Sequence, residues 1–126
     1  YLSTLSANTK YFEEGLNLFK NKKFQEAKFK FEQDIVFNPK SEKSYLYLSK
    51  IFKNLDKKNL QEQNLKTVIL LNPKNEEAIY QLAKLKLESS DYKKSEELNR
   101  RLIDICVNLC DEGQKLQKEI ENLSKK

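Results

Sequence analysis

The sequence predicts an all-α protein made of repeated helix pairs, and three observations support this. The hexapeptide FNPKSE at residues 37–42 returns as LNPKNE at residues 71–76, displaced by 34. The same step links Ile35, Ile69 and Ile103, as expected when structural repeats pack on one another. The chain contains only 2 Gly and 2 Pro and is 34% charged, which favours solvated helices over sheets. Its 126 residues are expected to form a single domain.

Each repeat is predicted to contain two helices joined by a short polar segment. In the first repeat, apolar residues at helical spacing predict helices over residues 8–20 and 24–37. Asn38 and Pro39 end the second helix, because proline cannot continue the hydrogen-bond ladder and disfavours helix at the preceding residue. The later repeats follow the same plan, with helices over residues 42–54, 59–71, 76–88 and from Tyr92, where Asp91 is the expected N-cap. The repeats span residues 8–41, 42–75 and 76–109, after an N-terminal extension of residues 1–7.

This pattern resembles the tetratricopeptide repeat, a 34-residue helix-turn-helix unit with large, small and aromatic residues at fixed positions. The matching residues are Tyr11, Gly15, Ala27, Phe31 and Pro39 in the first repeat, Tyr45, Leu48, Phe52 and Pro73 in the second, and Ile79, Leu82, Ala83 and Tyr92 in the third. The departures are Glu14, Gln61, Ser95 and Val107. The resemblance covers about residues 8–109 and implies a right-handed α-α solenoid, in which Gly15 and Ala83 allow the paired helices to approach closely.

Residues 111–126 are predicted to form a capping helix. Val107 stands where the family pattern has proline, so the last repeat helix can continue or turn late. Beyond it, Leu116, Ile120 and Leu123 form a narrow apolar stripe that would cover the open end of a solenoid. A coiled-coil stub is the weaker alternative, because the stripe lasts little more than two turns.

The sequence offers little for catalysis. It contains no His, and its two glycines lie in no phosphate-binding loop. Neighbouring carboxylates such as Glu76 and Glu77 are interpreted as solvated charges on polar helix faces. The chain is therefore expected to be no enzyme and to bind no cofactor or metal.

Cys106 and Cys110 are the only two cysteines. Four residues apart, they would share one face of a helix, and we expect buried thiols rather than a redox or metal pair. Two sulfurs without His cannot complete a four-ligand zinc site, and a disulfide within one helix is geometrically unfavourable. Export of the protein would weaken this expectation, because exposed thiols then tend to oxidise.

Function is therefore expected to reside on a surface. The first helix of each repeat carries a second stripe beside its packing face, and the resemblance places this stripe in a concave groove that holds a partner peptide. The candidate groove residues are Phe12, Leu16, Phe19, Leu46, Lys50, Lys53, Tyr80, Lys84 and Leu87. Such a groove would be apolar at its amino-terminal end and basic in the middle. Its partner would be a peptide or helix of another protein with apolar and acidic residues.

Three alternatives compete with an open groove. Tyr1, Leu2 and Leu5 could fold over the first stripe and make it ordinary core. An exposed aromatic patch could instead bind a second copy of the chain. The dispersed lysines, with a net charge of +5, could bind nucleic acid or another polyanion, although a solvated surface explains them more simply.

The sequence does not match one subtype of the tetratricopeptide repeat family, the domains that bind chaperone tails. Its chaperone-binding members hold a terminal carboxylate with Lys, Asn and Arg side chains. The matching positions here are Phe12, Leu16, Tyr47, Glu77 and Gln81, of which only Gln81 supplies any part of the required donor pattern, and that part is weak. Binding of chaperone tails is therefore not expected.

The sequence is consistent with two compartments. It begins with Tyr1, contains no Met and has no run of membrane-spanning length, so a trimmed amino terminus is expected. Its Lys- and Asn-rich composition resembles that of proteins from AT-rich bacterial genomes. The sequence fits an adaptor in the cytoplasm. If a signal peptide was removed, it also fits an adaptor in the periplasm or one tethered to the envelope.

Overall fold

The computed structural model describes residues 9–125 and contains seven α-helices over that range. Their bounds are α1 Lys10–Lys20, α2 Phe24–Phe37, α3 Glu42–Asn54, α4 Lys58–Leu71, α5 Glu76–Glu88, α6 Tyr92–Ile105 and α7 Cys110–Ser124. The predicted all-α class, the three helix pairs and the helix after them are confirmed. Tyr1, Leu2 and Leu5, which were an alternative cover for the first stripe, lie outside the described residues. No described helix combines the length and the apolar character that crossing a membrane requires.

Side-chain caps begin four of the helices. The first helices of the three repeats are capped by Thr9, Ser41 and Asn75, each of which accepts a hydrogen bond from the backbone N–H three residues later. Asp91 caps α6 in the same way, with its carboxylate 3.1 Å from the backbone nitrogen of Lys94, which confirms the predicted N-cap. These caps satisfy backbone donors that have no partner within the helix.

The turn between the two helices of a pair has the same backbone geometry in all three repeats. Lys22, Asp56 and Ser90 lie 34 residues apart, and their φ angles of 61°, 56° and 61° are in the left-handed region. The next backbone N–H in each turn reaches back five residues, from Lys23 to Leu18 (2.9 Å), from Lys57 to Phe52 (2.8 Å) and from Asp91 to Lys86 (2.9 Å). This bond pattern ends a helix by satisfying its last carbonyls. The sequence period of 34 is therefore also a period of backbone conformation.

The chain divides into two compact units, the first ending at Thr67 and the second beginning at Val68, within α4. In the first unit α2 packs against α1 and α3, around a core of Phe12, Ala27, Phe31, Leu48, Ile51 and Phe52. In the second unit α6 packs against α5 and α7, and α5 also contacts α7. The buried apolar residues there include Ile79, Leu82, Ala83, Leu98, Leu102, Leu116 and Ile120.

The two small residues predicted at close helix approaches lie at such approaches. A Cβ atom added to Gly15 on α1 would come within 3.0–3.1 Å of the Phe31 ring on α2. Ala83 on α5 is fully buried, and its carbonyl accepts a hydrogen bond from the Ser95 hydroxyl on α6 at 2.8 Å. A larger side chain at either position would crowd the partner helix.

Replacement of Ala83 by leucine should lower the free energy of unfolding by about 1–3 kcal/mol, because the added atoms overpack the α5–α6 contact. Chemical denaturation of the parent and of Ala83→Leu measures the difference. Lys93→Leu, at an exposed position of α6, adds the same side chain and should change stability by no more than about 0.5 kcal/mol. Equal stability of Ala83→Leu and the parent would show that the packing assignment is wrong.

A buried carboxylate ties the first unit together. Asp34 on α2 is 1% exposed and accepts hydrogen bonds from the hydroxyls of Thr9 (2.6 Å) and Ser44. These partners lie at the amino-terminal ends of α1 and α3. One repeat later the position is held by Val68, which is fully buried. The same repeat position therefore holds a buried carboxylate with two hydroxyl partners in the first repeat and an apolar core residue in the second.

The expectation of free thiols in one continuous helix is wrong. The sixth helix ends at Ile105, and residues 106–109 are not helical. Cys106 and Cys110 lie on either side of this break, with their Cα atoms 5.3 Å apart, and form a disulfide bond. The objection to a disulfide within a helix does not apply, because Cys110 belongs to the next helix.

Candidate functional site

The first stripe of candidate residues is partly core. Phe12 is only 4% exposed and contacts the rings of Phe31 and Tyr47, with centroids 5.6 and 6.1 Å away. Leu16 and Phe19, the other two candidates on α1, are half-buried and pack beside this core. Phe12 therefore supports the surface from beneath, whereas Leu16 and Phe19 retain area for a ligand.

The third helix adds an aromatic ring and two cations to this surface. Tyr47 contacts Phe19 edge-on, with ring centroids 5.1 Å apart, and Lys50 places its Nζ 5.0 Å from the Tyr47 centroid. Of the other α3 candidates, Leu46 is half-buried and Lys53 is exposed. We define the first-unit face as the following residues: Leu16, Phe19, Leu46, Tyr47, Lys50 and Lys53.

The candidate residues of the third repeat line two hollows where α5 meets α7. The larger hollow, of about 490 Å³, is lined by Lys74, Asn75, Glu76, Glu77, Tyr80, Gln81, Asn108, Leu109 and Glu112. The smaller hollow, of about 150 Å³, is lined by Lys84, Leu87, Glu88, Leu116, Glu119 and Leu123. Together these residues are the α5–α7 groove. It contains all three predicted residues of this repeat, although Leu87, like Phe12, is buried, with 7% of its surface exposed. Lys84 lies with its Nζ 4.6 Å from the Tyr80 ring centroid.

Helix α7 has a second role that the sequence did not indicate. Residues 111–126 were interpreted only as a cap, and Leu116 and Ile120 are indeed buried, each 2% exposed. The same helix supplies one wall of the groove through Glu112, Glu119 and Leu123. The spacing of the leucines was visible in the sequence, but the approach of α7 to the side of α5 that carries Tyr80 and Lys84 requires the tertiary structure.

The α5–α7 groove is lined by more acidic than basic side chains, although the whole chain is basic. Its carboxylates are Glu76, Glu77, Glu88, Glu112 and Glu119, against the amines of Lys74 and Lys84. Burial raises the pKa of Tyr80, and the charges of Glu112 and Glu119 raise it further. Tyr80 is therefore a neutral phenol at physiological pH, in a region of negative potential.

Glu76 is a structural acceptor as well as a solvated charge, a role that the sequence did not indicate. Its carboxylate accepts hydrogen bonds from the backbone N–H groups of Leu109 (2.8 Å), Val107 (3.0 Å) and Asn108 (3.0 Å). The bond from Leu109 is the largest cause that lowers the pKa of Glu76. Burial opposes it, and the smaller contributions of the bonds from Val107 and Asn108 lower the pKa further. Leu109, at the N-cap of α7, makes no side-chain capping bond, so Glu76 holds this end of the helix from α5.

Replacement of Glu76 by glutamine should destabilise the protein in a pH-dependent way. A carboxyl group with a lowered folded-state pKa stabilises the protein above its unfolded pKa, and this contribution is lost as the pH falls through the folded value. The difference in thermal midpoint between the parent and Glu76→Gln should therefore be largest at neutral pH and shrink well below pH 4.5. Asp104→Asn, which removes an exposed carboxylate from α6, is the control. A difference that does not change with pH would contradict the assigned role.

No group of three or more His, Cys, Asp or Glu side chains in residues 9–125 is arranged to hold a metal ion. The surfaces described above instead combine half-buried apolar and aromatic side chains with charged side chains beside them. Such surfaces can bind a peptide, with apolar anchors for affinity and charges for selectivity.

The fold is that of tetratricopeptide repeat proteins. No protein-family model and no curated protein sequence matches the chain. Among solved structures, the first TPR of Spaghetti (RPAP3) bound to an HSP90 peptide is 15% identical, with a TM-score of 0.82 over 92% of this chain and 91% of that one. The Yersinia enterocolitica type III secretion chaperone SycD, in complex with a peptide of the translocator YopD, is 14% identical. Its TM-score is 0.84 over 98% of this chain and 100% of that one. The Sgt2 TPR domain from Aspergillus fumigatus is 16% identical, with a TM-score of 0.77 over 93% and 81%.

Proposed function

We propose that this chain, which has the tetratricopeptide repeat fold, is a non-enzymatic adaptor that binds a peptide or helix of a partner protein. The observation that carries the proposal is the α5–α7 groove, in which Tyr80, Lys84 and Leu87 line two hollows of a size suited to side chains. Two solved structures of the same fold are peptide complexes, one with an HSP90 peptide and one with a peptide of YopD. Their sequences differ too much from this chain to transfer a ligand.

The first-unit face is the second proposed contact. Its aromatic part is rigid, because Tyr47 stacks on Phe31 with centroids 5.2 Å apart and also contacts Phe19. A preorganised aromatic surface loses little entropy on binding. Lys50 and Lys53 beside it would favour acidic residues in the part of the partner that binds here.

Chaperone tails are not the proposed ligand. Of the five positions that match the carboxylate-binding residues of chaperone-binding relatives, Phe12 is buried and Tyr47 is packed among the rings of Phe12, Phe19 and Phe31. Leu16 and Glu77 cannot donate to a carboxylate. Gln81 alone could donate to a carboxylate, so we do not propose a chaperone pathway that reads terminal carboxylates. On the Lys- and Asn-rich composition we propose instead an adaptor in a bacterial assembly, cytoplasmic or at the envelope.

Truncation of Leu16 to alanine tests the first-unit face once a partner has been captured from a lysate of the source organism. Loss of an apolar contact worth about 1.5 kcal/mol should weaken binding on the order of tenfold, equally at low and moderate salt, because no charge is involved. Val36→Ala is the matched control, since Val36 is 74% exposed on α2 and belongs to neither proposed surface.

Three results would contradict the proposal. An equal loss of affinity in Val36→Ala would indicate that the partner binds the exposed face of α2 as well. A steep salt dependence of binding to an oligonucleotide would favour a polyanion ligand, because phosphate contacts release counterions. Concentration-dependent dimers that disappear in Leu16→Ala would identify the surface as a contact between copies of the chain.

A further inference from the structure

We propose that the α5–α7 groove takes a partner segment that carries a branched aliphatic side chain next to a lysine or arginine. This inference rests on the proposed function, because it assumes peptide binding, and it specifies the chemistry of the ligand at this groove. It differs from the expectation for the first-unit face, where lysines favour acidic residues.

The aliphatic part follows from the smaller hollow. Its apolar lining is Leu87, Leu116 and Leu123, and its volume is about 150 Å³. A volume of this size can hold an apolar group about as large as benzene. The charged side chains of Lys84, Glu88 and Glu119 form the rest of the lining. Leu87 and Leu116 are held firmly, with 7% and 2% of their surfaces exposed, so the hollow is a preformed socket for one side chain.

The basic part follows from the pattern along α7. Glu112, Leu116, Glu119 and Leu123 succeed one another at spacings of four, three and four residues, which places them on one face of the helix. All four line the hollows, so this face presents carboxylate, leucine, carboxylate and leucine to a ligand. The two carboxylate positions are separated by about 10 Å along the helix axis. A ligand that fills the socket therefore meets Glu119 in the same hollow and has Glu112 in the neighbouring one.

The basic side chains of the groove do not reverse this charge pattern. Lys84 lies over the Tyr80 ring and lines the smaller hollow together with Glu88 and Glu119. Lys74 lines the larger hollow, where the carboxylates are those of Glu76, Glu77 and Glu112. The raised pKa of Tyr80, caused by burial and then by Glu112 and Glu119, is consistent with a negative potential there. An acidic peptide or a nucleic acid would place like charges against this wall, which is unfavourable, whereas a lysine or arginine is attracted to it.

Selection from a phage-displayed library of random linear peptides tests the proposal. The whole chain is the target, and each selected peptide is synthesised. NMR chemical-shift changes of the backbone amides of residues 76–88 and 110–124 identify the peptides that bind at the α5–α7 groove. We expect peptides that bind at the α5–α7 groove to contain Leu, Ile or Val next to Lys or Arg. Their affinity for Glu112→Lys/Glu119→Lys should be at least about tenfold weaker, with a smaller loss at high salt.

Two further variants control for charge and folding. Glu97→Lys/Asp104→Lys makes the same change in net charge at exposed positions of α6 and should bind the peptides as the parent does. Glu112→Gln/Glu119→Gln should weaken binding by a smaller factor, and thermal unfolding of all variants checks that α7 is intact.

The outcomes separate this inference from the proposed function. Peptides that bind at the groove without Lys or Arg, or that bind Glu112→Lys/Glu119→Lys and Glu97→Lys/Asp104→Lys equally, would overturn the inference alone. Peptides that bind only at the first-unit face would also overturn it and leave the adaptor function standing. Failure to select any peptide that binds the chain would overturn both.

Discussion

Removal of residues 111–126 should lower the free energy of unfolding by roughly 3–6 kcal/mol and cause the protein to aggregate. The estimate comes from Leu116 and Ile120, each 2% exposed, because full burial of such a side chain contributes about 1.5–3 kcal/mol. The truncation also uncovers the side of the second unit on which α7 packs. An exposed apolar face of this kind promotes association.

Polar contacts add to the expected loss. Asn99 on α6 is fully buried, and its side-chain nitrogen donates to the backbone carbonyl of Gly113 at 2.8 Å. Gly113 permits this approach, because a Cβ atom there would lie 3.2 Å from the Ile103 side chain. Without α7, Asn99 loses this hydrogen bond, whose net contribution to stability is on the order of 1 kcal/mol.

Chemical denaturation and light scattering of the truncated protein measure both effects. Deletion of residues 125 and 126 alone is the control, because it removes charge but leaves α7 from Cys110 to Ser124 intact. A truncated protein that remains monomeric and as stable as the parent would show that α7 is an appendage rather than a cap.

Much of the fold was predictable because local signals agree with one another. The Asn-Pro pairs end α2 and α4, Asp91 begins α6, and the period of 34 fixes the turn residues Lys22, Asp56 and Ser90. Each of these signals acts within a few residues of the chain. Agreement between them over three repeats made the architecture recognisable.

The features that were missed depend on contacts between distant residues. Glu76 was interpreted as a surface charge because its partners at Val107, Asn108 and Leu109 lie more than 30 residues away. The disulfide was rejected because the spacing of the cysteines suggested one helix, whereas the chain leaves the helix after Ile105. No proline or glycine marks this exit.

The candidate surfaces were predictable in part for the same reason. Repeat spacing predicted Tyr80, Lys84 and Leu87, which line the α5–α7 groove, but it also selected Phe12, which is core. Spacing gives the direction of a side chain on its helix and cannot give the depth to which a neighbouring helix covers it. Tyr47, which contacts Phe12, Phe19 and Phe31, was considered only as a position unable to hold a carboxylate.

Reversal of the charges on α3 is the second change with a large expected effect. Lys50→Glu/Lys53→Glu should weaken a partner with acidic residues on the order of a hundredfold, because like charges placed together in an interface cost several kcal/mol. Lys28→Glu/Lys66→Glu makes the same change in the same unit, on helices α2 and α4. Both control lysines form ion pairs along their own helices, with Glu32 at 3.9 Å and Glu62 at 2.8 Å. Their effect on the partner should be small, because exposed charges are screened within about 8–10 Å at physiological salt.

The affinity of the captured partner for these two variants tests the adaptor function most directly. Dissociation constants are measured for the parent, Lys50→Glu/Lys53→Glu and Lys28→Glu/Lys66→Glu, at low and at moderate salt. If the peptide binds a face on α1 and α3, Lys50→Glu/Lys53→Glu should lose much of its affinity, and the loss should persist at moderate salt. Lys28→Glu/Lys66→Glu should lose little affinity, and moderate salt should remove that loss. Equal losses in the two variants would mean diffuse electrostatic attraction, and the peptide-binding face would have to be abandoned in favour of a polyanion ligand.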